Sequence, residues 1–254
     1  MELAVCIVPV SPTRKEDSHR SEMVSELLFG ETAEVLERTK QFTHVRGLYD
    51  GYEGWCQTAQ LVIMQQPANT WHQRLTTGWA TPIEVNGMKM QLSLGSSLDM
   101  LREGKATVGP YDISYASDTW DPSLHTFDPV ALCEFAHQYL NTPYRWGGRS
   151  VFGIDCSGFA QQVFRFYNRR LPRDAYQQVE LGELIGFLQE AKAGDLAYFD
   201  NEEGKIIHVG ILLGPDKIIH SSGKVRIDRI DTTGIINTDT GERTHRLRVI
   251  KRIN

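Results

Sequence analysis

The order of patterns in the C-terminal half of the chain constrains the fold most, because two helical segments precede a run of strands. The first helix is predicted to start at Pro129, with Asp128 as its N-cap, and the second at Asp155 or Cys156. Five strand-like segments follow: DLAYFD, KIIHVGILL, KIIHSS, VRIDRI and RLRVIKRI. Helices followed by hairpin-linked strands predict an α+β domain with an antiparallel sheet over residues 128–254.

The first 63 residues show a different pattern, in which five or six short strand-like segments alternate with turns. The turn YDGYEGW lies between two of them, and this density of strands predicts a small β barrel over residues 1–63. A long polar connection, SPTRKEDSHRSEMVSELLFGE, is a candidate recognition loop because long connections often carry function.

A middle segment is bounded by two predicted linkers, MQQPANTW at residues 64–71 and SDTWDPSLHTFDP. Within it, MKMQLSL and DISYA are strand-like pieces with glycine-rich turns nearby. Residues 72–117 are therefore predicted to form a second small β domain, and a chain of 254 residues is long enough for one or two domains, or three small ones.

Charge and cysteine spacing exclude several classes of function. The chain has 27 basic and 32 acidic residues, well mixed, so we expect no nucleic-acid partner. The cysteines are far apart and form no CxxC pair, which argues against a zinc site or a disulfide framework, and we expect neither a metal nor an organic cofactor. They are Cys6, Cys56, Cys133 and Cys156.

The start of the sequence, MELAVCIVPV, carries an acidic residue where a signal peptide needs positive charge. Its apolar run is also too short to span a membrane. We therefore expect a cytoplasmic protein without a membrane partner. The oligomeric state is left open by the sequence.

Cys156 has two interpretations. A lone cysteine at a helix start is more often a small core residue than a reactive one. However, the free N–H groups and the positive end of the helix dipole favour a thiolate at this position, which would activate the sulfur. Cys133 lies in the apolar stripe of the first helix and is interpreted as a core residue.

A partner base for Cys156 is predicted from two histidines on neighbouring strands. His208 in KIIHVGILL and His220 in KIIHSS are separated by the three-residue loop GPD. If that loop pairs Leu213 with Lys217, both histidines point to one face, with Cα atoms about 7–8 Å apart. Gly210 then lies opposite His220 and leaves room beside it. A loop of another length would put the histidines on opposite faces.

These residues carry a resemblance. The segments YRWGG, DCSGF, RDAYQQ, AGDLAYF, HVGILLG and IIHSS resemble, in this order, the NlpC family of bacterial cell-wall cysteine peptidases. The resemblance runs through residues 128 to about 225 and implies a papain-like α+β fold. It implies that Cys156 is the nucleophile, that His208 is the general base and acid, and that His220 orients His208.

The resemblance also implies roles around the nucleophile. Tyr144 would help to stabilise the oxyanion, and Asp155 and Ser157 would contact the substrate. Arg173 could pair with a glutamate carboxylate of the substrate. One departure is visible, since Ala175 stands where the related enzymes often have serine, and this puts the peptide preference in doubt.

The first 63 residues are similar to the bacterial SH3-like barrel of the branch of this family that recycles murein peptides, in SEMVSELLFGE and YDGYEGW. In that branch an acid and a tyrosine of the first barrel, with the Asp before the nucleophile, hold the free amine of an N-terminal L-alanine. Tyr52 is the candidate tyrosine. Glu22 is the candidate acid, and Glu26 is the alternative.

The resulting hypothesis is a cysteine dipeptidyl-peptidase that cuts the γ-D-glutamyl bond to meso-diaminopimelate or L-lysine in murein peptides and releases L-Ala-γ-D-Glu. A wall-binding module with an inert peptidase fold is the alternative from another class. Acyl transfer to lipid amines is disfavoured, because in the related folds that perform it the histidine precedes the cysteine.

Overall fold

The computed structural model describes residues 2–64 and 74–253. The predicted linker at 64–71, apart from Met64, and residues 72 and 73 at the start of the predicted second β domain lie outside these ranges.

The chain folds into two compact units, and the second begins close to the boundary predicted at residue 128. One short segment departs from the predicted division, because residues 146–152 fall in the first unit although they lie within the predicted domain of residues 128–254. The first unit is Met1–His125 with Trp146–Phe152, and the second is Thr126–Arg145 with Gly153–Asn254.

Residues 2–64 form short antiparallel strands in the order β3-β2-β6-β5-β4-β1-β7. The turn YDGYEGW joins β5 to β6, as predicted. The elements in this range are β1 (Leu3–Cys6), β2 (Val10–Arg14), β3 (Met23–Leu28), β4 (Thr32–Arg38), β5 (Phe42–Gly47), β6 (Glu53–Gln57), a 3-10 turn (Thr58–Gln60) and β7 (Leu61–Met64).

Much of the polar connection predicted as a recognition loop is a hairpin of β2 and β3 instead. The inward positions of β2 are hydroxyl residues, Ser11 and Thr13, so the alternation is present but is not hydrophobic. Ser11 Oγ donates to Gln60 Oε1 at 2.8 Å, and Thr13 Oγ1 lies 3.4 Å from Cys56 Sγ. These contacts satisfy the buried hydroxyl groups.

The middle segment adds a four-stranded sheet in the order β10-β9-β12-β11 and a short β13–β8 pair. Its core is shared with the first strands, since Phe29 packs in one buried cluster with Ile83 and Leu92. Gly30, with φ of 75°, allows a close approach: a Cβ there would lie 2.1 Å from Ser97 O. The elements are β8 (Leu75–Thr76), β9 (Ala80–Val85), β10 (Met88–Ser93), β11 (Lys105–Val108), β12 (Tyr111–Ser114), β13 (Thr119–Trp120) and a 3-10 turn (Pro122–Leu124).

A buried ion pair explains why residues 146–152 belong to the first unit. Arg149, in the short strand β14 (Arg149–Ser150), is 2% exposed, and its guanidinium donates to both carboxylate oxygens of Glu31 at 2.9 and 3.1 Å. Its backbone N–H donates to Glu26 Oε2 at 2.7 Å, and Nη1 donates to Glu26 O at 2.6 Å. Removing one partner of such a buried pair costs about 3–5 kcal/mol.

The two predicted helices of the second unit begin where the sequence predicts. Asp128 caps the first helix by accepting a hydrogen bond from Val130 N at 2.8 Å. Asp155 caps the second by accepting one from Gly158 N at 2.7 Å. The helices are α1 (Pro129–Gln138), α2 (Cys156–Arg165) and α3 (Ala175–Gln178).

The five predicted strands of this unit are all present, as β17 to β20 and β22, in an antiparallel sheet of order β16-β22-β17-β18-β19-β20-β21. A further pairing of β21 with β22 closes six of these strands into a ring. Phe199, Leu212 and Ile218 lie in its buried core. The elements are β15 (Gly153–Ile154), β16 (Glu183–Ile185), a 3-10 turn (Leu188–Glu190), β17 (Leu196–Asp200), β18 (Ile206–Leu212), β19 (Lys217–Ser222), β20 (Lys224–Ile230), β21 (Gly234–Ile236) and β22 (Arg243–Arg252).

In the described parts of the chain, no helix has the length and apolar character needed to cross a membrane.

Candidate active site

Cys156 is the first residue of α2, directly after the N-cap Asp155. Its side chain is buried, and the backbone of Val209 acts to lower the pKa of its thiol. Val209 follows His208 in β18. The start of α2 is therefore seated against the strand that carries the predicted base.

The predicted histidine pair is confirmed. Gly210 lies opposite His220 across β18 and β19, and Leu213 N donates to Lys217 O at 2.9 Å, so the GPD loop sets the expected register. His208 Nε2 lies 2.8 Å from His220 Nδ1. A Cβ on Gly210 would lie 2.8 Å from the Cβ of His220, so glycine is required here to make room for the second imidazole.

A third member of this hydrogen-bonded series, Asp228, was missed by sequence reasoning. Its Oδ2 lies 2.9 Å from His220 Nε2, and both side chains are buried. On β20 Asp228 pairs with Ile218, which places it diagonally next to His220 on the same face of the sheet. In VRIDRI, Val225 and Ile227 alternate on the strand face opposite to Asp228, so the local pattern did not indicate an inward-facing acid.

Asp228 is held as a carboxylate. Burial alone would raise its pKa, but hydrogen bonds from His220, Arg226 and the backbone of Thr238 hold the pKa well below its usual value. Arg226 donates to both carboxylate oxygens, at 2.8 and 2.9 Å, and Thr238 N donates to Oδ1 at 2.8 Å.

An ionised carboxylate can only accept hydrogen bonds, and with a neutral His220 ring this fixes the direction of the whole series. His220 Nε2 must carry the proton donated to Asp228, so His220 Nδ1 is an acceptor. His208 Nε2–H therefore donates to His220, and His208 Nδ1 is the ring nitrogen that can accept a proton. Asp228 and His220 thus select the tautomer of His208 that can act as a base.

Burial favours the neutral form of both the thiol and the imidazole. It raises the pKa of Cys156 to about 12, and the negative charge of Asp155 acts in the same direction. The backbone of Val209 and the charge of Arg173 oppose this rise but do not overcome it. Burial, followed by electrostatic interaction with His220 and His245, holds the pKa of His208 well below its usual value.

The expectation that the helix start stabilises a thiolate is wrong for the resting protein, because burial raises the pKa of the Cys156 thiol. A neutral thiol and a neutral base suit a different route to the same nucleophile, in which the base takes the thiol proton as the sulfur attacks.

Asp155, Ser157 and Arg173 form one buried group. The Arg173 guanidinium donates to Asp155 Oδ1 at 3.0 Å and to Oδ2 at 2.6 Å, and it also reaches Ser157 Oγ at 3.0 Å. Arg173 is 2% exposed. The structure thus places Arg173 as the partner of the residue that caps α2, a contact that the sequence did not suggest.

Tyr144 is partly exposed, and its backbone N–H donates to Gly223 O at 2.9 Å. Burial of the ring, followed by the charges of Cys156 and Asp155, raises the pKa of its hydroxyl to about 12. The hydroxyl therefore stays protonated at neutral pH and is able to donate a hydrogen bond near the nucleophile.

In the first unit, the structure brings Tyr52 and Glu26 together and places Glu22 elsewhere. Tyr52 and Glu26 line one small pocket with Asp50 and Arg149. Glu22 accepts a hydrogen bond at Oε1 from Trp146 Nε1 at 2.8 Å. Within residues 2–64 and 74–253, no three His, Cys, Asp or Glu side chains converge to hold a metal ion.

Two family models match the chain. Residues 141–244 match the NlpC/P60 family, and residues 13–61 match the bacterial dipeptidyl-peptidase Sh3 domain. The first match contains Cys156, His208, His220 and Asp228.

Curated relatives are similar over most of the chain. A gamma-D-glutamyl-L-lysine dipeptidyl-peptidase of Bacillus subtilis is 32% identical over 213 residues, which is 78% of this chain and 71% of the relative. Dipeptidyl-peptidase 6 of Lysinibacillus sphaericus is 27% identical over 90% of this chain and 92% of its own length.

A crystal structure of an NlpC/P60 family protein from Bacillus cereus has a similar fold, with a TM-score of 0.83 at 18% identity over 98% of this chain and 99% of that one. The sequence match to the B. subtilis relative extends this likeness in fold to a family relationship. The chain belongs to the NlpC/P60 family and is a cysteine peptidase with a bacterial dipeptidyl-peptidase SH3 domain in its N-terminal part.

Proposed function

We propose that this peptidase hydrolyses the γ-D-glutamyl bond to a diamino acid, meso-diaminopimelate or L-lysine, in murein peptides with a free N-terminal L-alanine, and releases L-Ala-γ-D-Glu. The observation that carries the proposal is the similarity to a γ-D-glutamyl-L-lysine dipeptidyl-peptidase across both the SH3 and the peptidase segments.

The residues of the second unit supply the chemistry. His208 Nδ1 takes the thiol proton while Cys156 Sγ attacks the γ-carbonyl carbon. The positive end of α2 and the Tyr144 hydroxyl stabilise the negative charge on the carbonyl oxygen. The C–N bond then breaks, and the His208 imidazolium gives its proton to the leaving amine.

Water completes the reaction. His208, neutral again, takes a proton from water as the oxygen attacks the thioester carbon. The C–S bond breaks, and the sulfur recovers a proton from His208. The products are the diamino acid and L-Ala-γ-D-Glu, and the enzyme returns to its resting state without a metal or an organic cofactor.

Selection of the free amine is proposed to depend on Glu26 rather than Glu22. Glu26 is fully buried and shares a pocket with Tyr52 and Asp50, and such a carboxylate and aromatic ring suit an ammonium group. Glu22 is engaged with the indole of Trp146. Arg173 is assigned to holding Asp155 rather than a substrate carboxylate, because it already makes two hydrogen bonds to Asp155.

The test is mass-spectrometric product analysis with L-Ala-γ-D-Glu-L-Lys, L-Ala-γ-D-Glu-meso-diaminopimelate and their N-acetylated twins. We expect L-Ala-γ-D-Glu from the free-amine peptides and little cleavage of the acetylated ones. Equal cleavage of both would contradict selection of the amine. No cleavage of any would favour an inert wall-binding module.

Two variants test the choice of acid. We expect Glu26→Gln to raise KM for the free-amine peptide and Glu22→Gln to leave it nearly unchanged. A rise only with Glu22→Gln would return the role to that residue.

A cytoplasmic recycling role stays a prediction, and cell fractionation with an antibody to the native protein tests it.

A further inference from the structure

His245 is a residue that neither the motifs nor the reaction above assigns. It lies on β22, where it pairs with Ile235 of β21, and its side chain is half-buried. Its ring stacks on the ring of His208, with centroids 4.1 Å apart and planes inclined by 25°. A second imidazole therefore covers one face of the candidate base.

The other contacts of the two rings restrict them further. Phe199 packs 5.7 Å from the ring of His208 and 5.9 Å from that of His245, measured between centroids. The ring of His220 is nearly perpendicular to that of His208, at 84°, as expected for a hydrogen bond in the plane of the His208 ring. Rotation of His208 about its Cβ–Cγ bond would have to displace the stacked ring or break the bond to His220.

The charge state of His245 suits this contact. Burial, followed by the charge of His220, lowers the pKa of His245 to about 4, and Asp228 offsets only part of this shift. The ring is therefore neutral at neutral pH. Two neutral flat rings stack without charge repulsion, so the contact does not depend on a proton at position 245.

We propose that His245 is a positioning residue for the peptidase reaction: it holds the imidazole plane of His208 so that Nε2 stays on His220 and Nδ1 stays available to the thiol. The inference rests on the proposed role of His208 as the base. It requires a flat ring at position 245 and does not require an ionisable one.

The experiment compares His245→Ala, His245→Gln and His245→Phe. Neither Ala nor Gln offers a stacking ring, and Gln keeps polarity and much of the volume, while Phe keeps the flat ring. Two rates are measured at pH 7: turnover of the murein tripeptide and alkylation of Cys156 by iodoacetamide, followed by mass spectrometry of the Cys156 peptide. His137→Ala, an exposed histidine of α1, is the matched control.

We expect kcat and the alkylation rate to fall roughly 10–100-fold in the Ala and Gln variants, part of the 10²–10⁴-fold that a positioned base contributes. KM should change less than about twofold, and Phe should restore both rates to within about threefold of the wild type, since the contact and not a proton is needed. His137→Ala should behave as wild type.

Wild-type rates in the Ala and Gln variants would overturn the proposal, and so would a Phe variant as slow as these two. If Ala does not fold, the Gln and Phe variants decide. The alkylation rate needs no peptide, so a failure of the proposed substrate leaves this test intact. If wild type and His208→Ala are alkylated equally fast, His208 is not the base, and the proposal falls with it.

Discussion

Each unit buries a cluster of charged and polar side chains, and the two clusters differ in how they end. In the first unit, Arg149 meets both oxygens of Glu31, and the opposite charges close on each other. In the second unit, hydrogen bonds run from Asp228 through His220 to Nε2 of His208, the imidazole that is proposed to take the thiol proton. The first cluster is closed, because its charges pair with each other and stabilise the fold. The second is open, because it ends at the imidazole that is proposed to accept a proton.

Replacing the nucleophile should have the largest effect on the open cluster. We expect Cys156→Ala to lower turnover by at least about 10⁴-fold, because the remaining groups bind and polarise the substrate without attacking it. Circular dichroism and product analysis check fold and activity. Cys133→Ala, which removes a thiol packed against Leu212 O, is the control and should retain activity. Near-wild-type turnover in Cys156→Ala would show that Cys156 is not the nucleophile.

Removing one partner of the closed cluster should lower the stability of the fold rather than the rate of the reaction. We expect Arg149→Met to lower the free energy of unfolding by about 3–5 kcal/mol, because Glu31 is left buried with its partner removed. Urea denaturation measures the loss. Arg46→Met, which removes an exposed ion pair with Glu34 and Glu53, should change stability little. Equal effects of the two variants would show that burial does not distinguish the pairs.

Neutralising the start of the open cluster should have an intermediate effect. Asp228→Asn can donate as well as accept, so His220 no longer has one favoured tautomer and His208 loses its orientation. We expect kcat to fall roughly 10²-fold with little change in KM. Asp231→Asn, a surface acid paired with Arg243, is the control. A fully active Asp228→Asn enzyme would mean that His208 needs no help beyond His220.

The smallest expected effect concerns the protonation state of the Cys156 thiol before substrate binds. Because burial raises the pKa of Cys156 to about 12, we expect no thiolate absorbance at pH 7 in the ultraviolet difference spectrum between wild type and Cys156→Ala. The pKa of this thiol is higher in the folded than in the unfolded protein, where it is about 8.5. The contribution of the neutral thiol to folding stability is therefore present below about pH 8.5 and is lost as the pH rises toward 12. A thiolate signal at pH 7 would instead indicate a preformed ion pair.

The parts of the site that depend on short-range rules could be predicted. The GPD loop fixes the register of β18 and β19, and register alone determines that His208 and His220 share a face. The start of α2 follows in the same way from the capping residue Asp155. In these cases the deciding contacts lie within one hairpin or one helical turn.

The parts that depend on distant partners could not be predicted. His245 reaches His208 across β17, which lies between β22 and β18 in the sheet, and no local sequence pattern predicts that order of strands. The high pKa of Cys156 was missed for a related reason, since burial is a property of the whole unit and a helix start is a local one. The hydroxyl-rich strand β2 was mistaken for a loop because its inward residues are Ser11 and Thr13.

The placement of residues 146–152 in the first unit has a consequence for modularity. In sequence this segment lies within the region of the peptidase motifs, yet Arg149 pairs with Glu31, which is 118 positions upstream. A chimera that joins a foreign barrel at Thr126 would carry a buried guanidinium without its counter-charge. An exchange of the first unit must therefore include both of its pieces, Met1–His125 and Trp146–Phe152.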